Sequence, residues 1–508
     1  MRFLLALLLL GQDGAFDPAK YKGPSEARAV EPKPPPPPSA SAKAFLGVGS
    51  STSFEEGGIV LAEVIPGGPA AKAGLRSGDR VVRMAGRGVP DPNALARLVR
   101  SRAPGDRVEV VLERDGEEMT LEVTLGAAPA GGGGGGAGGL AIWTKPGFTL
   151  GVVRIEFADE KHNPAFETKD WEALLFSRGT YTDQSPTGSR VYGSVADFYH
   201  EVSYGAFALR GRVFDWVALD RPRSWFEERR MQDREGTKEF LPKALARVRE
   251  RDGEGCFDGL DGIVFLHAGR QTYNRPWLLW PHRASIAAGK RTVPYYLVAE
   301  GGPRFNAINV HVHEFGHMLG LPDQYGQKHQ TGVGKWCTMS VGHMGSGESR
   351  TARPHHLCVE CKERLGWAKA TPIDAKEPQW LRLSAIESDG TQAFKLRAGE
   401  DTFYFENRER IGFDAEIEGT GLLIWKETKS GLELVEAHGK KVPNASLVET
   451  EEIPYPSFYN RSFTPRTQPA APAGVFVTDI EKREGVVFFK VGIPSEDRSR
   501  AVEKRRDY

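Results

Sequence analysis

Hydrophobic and polar positions change rhythm several times along this 508-residue chain, and each change marks a different kind of segment. Met1 and Arg2 precede an unbroken apolar run from Phe3 to Leu10, the pattern of a short signal peptide over residues 1–15, with cleavage expected between Leu10 and Phe16. Residues 16–43 are polar and proline-rich, Pro34 to Pro38 without interruption, and predict a stiff polyproline II spacer with no core of its own. From 44 to 126 short β-type runs alternate with turn residues. Gly58 to Pro66 reads as a strand, Pro69 to Leu75 as a short helical turn, and Ser77-Gly78-Asp79 as a turn leading into a strand at Arg80. Asp91 and Pro92 open a helix with an apolar stripe at Leu95, Leu98 and Val99. Asp115-Gly116 closes a hairpin between Val108–Arg114 and Met119–Leu125. Residues 127–142 are mostly Gly and Ala, with six consecutive glycines from Gly131; ordering them costs too much backbone entropy, so a flexible tether is expected.

Over 143–370 the period switches between 2 and 3.6. Gly151–Phe157, Arg210–Val217 and Val293–Val298 read as strands, and the apolar run to His267 reads as a fully buried central one. Ser194 and Asp197 have capping-box spacing for a helix ending at Gly205, and Lys238–Arg251 carries a helical apolar stripe. Strands alternating with helices predict an α/β domain. After Trp367 the helical signals stop. Seven short strands with turns between them, from Leu381 to Val491, predict an all-β, sandwich-like region over 371–494, followed by a charged tail at 495–508.

Composition narrows the classes. Lys+Arg and Asp+Glu are both 67, so no net field draws the chain to nucleic acid or an anionic membrane. Past the first ten residues no apolar run approaches the ~20 residues that span a bilayer, and no transmembrane span is expected after signal cleavage. The expected location is extracytoplasmic, secreted or periplasmic. Four cysteines are too few for a disulfide scaffold. Cys337, Cys358 and Cys361 nonetheless lie close together, with Cys256 apart. A disulfide from Cys337 to Cys358 or Cys361, a second zinc held with His355 or His356, and plain buried thiols are all compatible with that spacing. His343, His355 and His356 are expected as surface or supporting histidines rather than ligands.

The stretch that carries chemistry is His313-Glu314-Phe315-Gly316-His317-Met318-Leu319-Gly320-Leu321-Pro322-Asp323. In a helix, four residues turn about 400°, so His313 and His317 lie roughly 40° apart on one face, where both ring nitrogens reach one metal ion. Glu314 points about 100° away from His313, beside the ion rather than on it, where a carboxylate can take a proton from an activated water. Gly320 ends the helix in a left-handed conformation, and the turn brings Asp323 back as third ligand. Three protein ligands with one open position is the plan of a catalytic zinc. His343 and Tyr325 are the nearest candidates to stabilise a developing oxyanion.

At this point the chain resembles the immune inhibitor A-like zinc metallopeptidases. The resemblance rests on the motif above and on Trp336-Cys337-Thr338-Met339, which places Met339 as a metzincin-type methionine turn beneath the ligands. It extends through Gly193-Ser194-Val195-Ala196-Asp197-Phe198-Tyr199, Trp280-Pro281-His282-Arg283, Lys362-Glu363-Arg364-Leu365-Gly366-Trp367, Phe405-Glu406-Asn407-Arg408 and Gly421-Leu422-Leu423-Ile424-Trp425. It departs from the family at Gly326, where an Asp is expected after the tyrosine. It implies a zincin-type catalytic fold, protein or peptide substrates and Zn2+ as cofactor, with structural Ca2+ left open. The strand at Val293–Val298 is then expected as the sheet edge along which substrate lies. Residues 44–126, through Gly67-Gly68-Pro69-Ala70-Ala71-Lys72-Ala73-Gly74-Leu75, are similar to bacterial-type PDZ domains, which implies a groove for a C-terminal peptide whose carboxylate is held by the loop Phe45-Leu46-Gly47-Val48. An exported zinc endopeptidase is expected. A catalytically inactive PDZ/zincin peptide-binding protein is the alternative, and metal-dependent hydrolysis of another bond uses the same ligands.

Overall fold

The computed structural model describes residues 16–29, 44–48, 51–53, 58–61, 64, 68–76, 78–90, 92–114, 116–127, 142–230, 233–272, 278–289, 291–326, 332–428, 431–439 and 450–492. The apolar run at 3–10, the proline run, most of the glycine tether, Asp91 and the charged tail lie outside those residues.

In the N-terminal unit, Ser51–Ser53, Ile59–Leu61, Arg80–Met84, Arg107–Arg114 and Glu117–Thr124 make an antiparallel sheet in chain order. Arg114 pairs with Glu117 across the expected hairpin turn, where Gly116 adopts φ 84°. Ile59, Leu61, Val81, Met84, Val110 and Leu112 form its core with Leu95 of the helix Pro92–Arg100. Ser51–Ser53 is an edge strand of this sheet.

The central unit is a mixed α/β layer. Its strands are β1 (Gly147–Glu156), β2 (Ala208–Val213), β3 (Gly262–His267), β4 (His282–Ala288) and β5 (Arg291–Ala299). They lie in the order β2-β1-β3-β5-β4, all parallel except the antiparallel edge strand β4. β3 is buried throughout because alternate residues feed two cores. Val264 and Leu266 face the core shared with α1 (Thr168–Phe176), α2 (Val195–Val202) and α4 (Asn309–Met318); Ile263 and Phe265 face the core of α3 (Leu241–Asp252). The capping box that opens α2 is formed, with Asp197 N donating to Ser194 Oγ at 2.9 Å and Ser194 N to Asp197 Oδ2 at 3.0 Å. One expectation is corrected: the strand preceding α4 is not the sheet edge. β5 is paired on both sides, to β3 and β4, so the edge is β4.

After the short helix α5 (Val359–Arg364), all seven expected C-terminal strands are present. They are β6 (Gln379–Leu383), β7 (Ala393–Ala398), β8 (Asp401–Arg408), β9 (Gly421–Thr428), β10 (Gly431–Val435), β11 (Val477–Arg483) and β12 (Val486–Val491). β7 to β10 form one sheet with Thr371–Pro372, and β6, β12 and β11 another. Both faces of the larger sheet are covered: Phe403, Phe405, Leu422 and Ile424 meet Leu381, Phe489 and Val491 of the smaller one, while Tyr404, Leu423 and Trp425 join the core shared by α1, α2 and α4.

The N-terminal spacer is a second correction. Residues 16–29 dock on the C-terminal region, with Lys22 N donating to Trp380 O at 2.9 Å and Arg382 N to Lys22 O at 3.0 Å. Phe16 and Tyr21 pack edge-on against Phe488, and Tyr21 against Trp380. Two aromatic side chains bury apolar area that a proline-rich reading overlooks, and the strap covers the open edge of β6.

Candidate metal centre

α4 supplies three residues of the site, and its end supplies the fourth. Leu319 N donates to Phe315 O, Gly320 follows at φ 92°, and Leu321 N returns to Gly316 O at 3.1 Å. This reversal carries Asp323 back to the face that holds His313 and His317. His313 Nδ1 lies 2.9 Å from Thr338 O and His317 Nδ1 2.8 Å from Leu321 O. A carbonyl oxygen only accepts, so each Nδ1 carries a proton; in the neutral ring each Nε2 then presents a lone pair, and in the protonated ring each Nε2 donates to Asp323. The two lone pairs share a target: His313 Nε2 stands 3.3 Å and His317 Nε2 3.2 Å from Asp323 Oδ1. Two oriented imidazoles and a carboxylate, their ligand atoms all within 4.8 Å of one another, fit a zinc ion by donor chemistry and by spacing.

The electrostatics agree. Burial acts to lift the Asp323 carboxyl, yet its bonds to the two imidazoles hold it well below the usual carboxylate range. Burial acts to depress His313, yet Asp323 and Glu314 hold it above its ordinary value. Negative charge is thus concentrated where a cation would sit. Glu314 is half-buried, and its charge acts on His313, His282 and Tyr296.

Met339 is fully buried beneath α4 and requires a glycine above it. A Cβ on Gly316 would lie 2.5 Å from Met339 Sδ and 3.2 Å from the Tyr199 hydroxyl, which donates to Val312 O at 2.5 Å. Alanine in mid-helix is ordinarily worth about 1 kcal/mol over glycine, but overpacking a buried contact costs about 1–3 kcal/mol. Packing should win, so Gly316→Ala is expected to lower stability by about 1 kcal/mol and to weaken metal retention. Thermal unfolding of the metal-free protein checks the first; an unchanged or raised Tm would refute the packing argument.

His343 and Tyr325 flank the site, their rings 4.8 and 5.7 Å from that of His313. His343 Nδ1 donates to Ser340 O at 2.6 Å, and burial pushes its pKa down to about 4. A neutral imidazole in that tautomer has no hydrogen at Nε2, whereas the Tyr325 phenol carries one. His355 and His356 are buried, not at the surface. His355 Nδ1 donates to Lys335 O at 2.6 Å and His356 Nε2 meets Glu201 Oε1 at 2.8 Å. None of the four cysteines is joined in a disulfide. Among the described residues, His, Cys, Asp and Glu side chains converge as candidate metal-binding groups in two places, His313–His317–Asp323 and Cys337–Cys358–Cys361.

Sequence reasoning missed the charged network that fixes this scaffold. Arg408, wholly buried, bonds Asp414, Glu387 at 3.0 Å and Glu406 at 3.2 Å. Asp414 and Glu406 in turn accept from the His356 and Val359 amides at 2.9 Å. The signal was the pair of charges in Phe405-Glu406-Asn407-Arg408, set in a run whose other residues read as core strand.

Comparison with known proteins finds two matched stretches of the chain. Residues 45–125 match the PDZ domain model, and residues 284–367 match the immune inhibitor A peptidase M6 catalytic domain. Immune inhibitor A of Bacillus thuringiensis subsp. alesti is 24% identical over 288 residues, 44% of this chain and 41% of that one. A probable periplasmic serine endoprotease, DegP-like, of Halomonas elongata is 41% identical over 110 residues, 22% of this chain and 23% of that one. Among solved structures, an HtrA-type protease AlgW with a decapeptide is 28% identical over 17% of this chain and 30% of its own, with a TM-score of 0.17. The chain spans less than half the length of each of these relatives.

Proposed function

We propose, for a chain that carries a PDZ domain and a peptidase M6 catalytic domain of the immune inhibitor A type, that it is an exported zinc-dependent endopeptidase. The observation that carries this reading is the convergence of His313 Nε2, His317 Nε2 and Asp323 Oδ1 with Glu314 beside them. Zinc, when bound, lowers the pKa of water and polarises a carbonyl oxygen. Thr338 O and Leu321 O orient the two imidazoles. Glu314 accepts the proton of the attacking water and returns it to the leaving amine. Tyr325, its ring 5.7 Å from that of His313, donates its hydroxyl to the oxyanion that forms.

β4, the antiparallel edge strand among the described residues, is where an extended peptide can add to the sheet. In the PDZ unit the edge strand Ser51–Ser53 lies beside the helix Pro92–Arg100, with Phe45–Val48 at its start, which supports a groove for a C-terminal peptide. The sandwich-like C-terminal region completes the catalytic core rather than acting as a separate substrate module, a reading supported by Tyr404, Leu423 and Trp425 in that core. Export to the periplasm or medium rests on the apolar run after Met1-Arg2, and the Halomonas relative is itself described as periplasmic. An inactive peptide-binding protein would have no need of a carboxylate at 314.

Incubation of the full chain with casein tests the proposal. Fragments are expected, abolished by a zinc chelator and restored by Zn2+; casein bound but left intact would mark the inactive alternative.

A further inference from the structure

Three of the four cysteines meet behind the methionine turn. Cys337 immediately precedes Thr338, Cys358 caps α5, and Cys361 lies within that helix. All three are wholly buried, their sulfurs lie within 4.8 Å of one another, and Cys337 Sγ is 4.0 Å from Cys361 Sγ. Sulfurs bound to one tetrahedral zinc at about 2.3 Å are about 3.8 Å apart, so the observed separation is close to that of ligands. A disulfide would join two sulfurs at about 2.05 Å and strand the third in the core. The two-residue spacing of Cys358 and Cys361 suits chelation. The Cys358 amide donates to Cys337 Sγ at 3.3 Å, a bond that favours a thiolate there, and the Gln324 side-chain amide stands 3.9 Å from Cys361 Sγ. His355 and His356, the companions offered by the sequence, bond elsewhere.

We infer that Cys337, Cys358 and Cys361 form a second metal site, for one divalent cation of the thiophilic Zn2+ class, separate from the His313–His317–Asp323 centre. Softness selects the ion: three thiolates favour zinc-like cations over Mg2+ or Ca2+. The placement gives the site a task. Thr338, next to Cys337, presents the carbonyl that orients His313, and Gln324, next to Asp323, donates its backbone N–H to Met339 O at 2.7 Å. A cation clamping Cys337 to α5 therefore holds two neighbours of the catalytic ligands. This does not depend on the peptidase reading and would stand if the chain cleaved nothing.

Metal counting on the full chain decides it. Zinc near two per chain is expected in the wild type, near one in His313→Ala/His317→Ala, and near zero when Cys358→Ser and Cys361→Ser are added. Zinc near one in the wild type and absent from a folded His variant would overturn the inference, as would an intact mass two hydrogens short of the reduced chain. If the His variant does not fold, Co2+ exchanged into the wild type gives the answer. A thiolate-to-cobalt charge-transfer band is expected, because the His–Asp centre has no sulfur to produce one; its absence would overturn the site. Cys361→Ser alone is expected to weaken retention of the ion at His313 and His317 about 10–100-fold, the usual effect of losing a supporting contact.

Discussion

Glu314→Gln is expected to leave the metal content of the chain unchanged and to remove its hydrolytic activity. Glutamine keeps the size and hydrogen-bonding outline of the side chain but cannot accept a proton at neutral pH. Glu314 is not among the three residues whose ligand atoms converge, so its replacement does not touch the donor set. General acid–base catalysis contributes typically 10²–10⁴-fold, and kcat/KM for casein should fall by about that factor, roughly 3–5 kcal/mol in the barrier. Zinc per chain, measured alongside, should match the wild type. Activity within a few-fold of wild type would remove Glu314 from the mechanism. Lost zinc would mean that the carboxylate serves the metal, directly or through folding.

Asp323→Ala is expected to lose both the catalytic ion and the activity. Asp323 Oδ1 lies 3.3 and 3.2 Å from the two Nε2 atoms, so its negative charge sits where the neutral imidazoles aim their lone pairs. Removing a partner of a metal ligand costs about 10–100-fold in affinity; removing a ligand itself should cost more. Zinc should fall by one ion per chain, and casein cleavage should drop at least as far as in Glu314→Gln. An independent readout follows from linkage: a ligand present at about 100 times its Kd stabilises the fold by roughly 2.7 kcal/mol. Added Zn2+ should therefore raise the Tm of the metal-stripped wild type more than that of the variant. A variant that keeps its zinc and its Tm response would show that another group supplies the third ligand.

Much of this was legible beforehand because it is local. The i, i+4 spacing of His313 and His317 is a property of helical pitch, and Gly320 ends the helix because a left-handed residue is needed there, φ 92° in the structure. The capping box at Ser194 and Asp197, the β3 run and the seven C-terminal strands came from periodicity within a dozen residues, and each element is present within a few residues of its expected bounds. Val293–Val298 was recognisable as a strand, but its place in the sheet was not. A strand's pattern of side chains says which faces are buried and nothing about which neighbours bond its edges.

By itself, then, the sequence determined the helix, the common face of His313 and His317, the place of Glu314 beside them, and the order of short β runs, alternating strands and helices, and C-terminal strands. Each of these depends on spacing along the backbone, which folding preserves. Tertiary structure alone decided what depends on distance across the chain. It set β4 rather than β5 at the edge, laid residues 16–29 on the C-terminal sheet, and turned His313 by the carbonyl of Thr338, 25 residues away. It also set Cys337 against Cys358 and Cys361, 21 and 24 residues away, and surrounded Arg408 with three carboxylates. Such partners are selected by packing and by the cost of leaving a buried polar group unpaired, terms summed over the whole fold and carried by no single stretch of sequence.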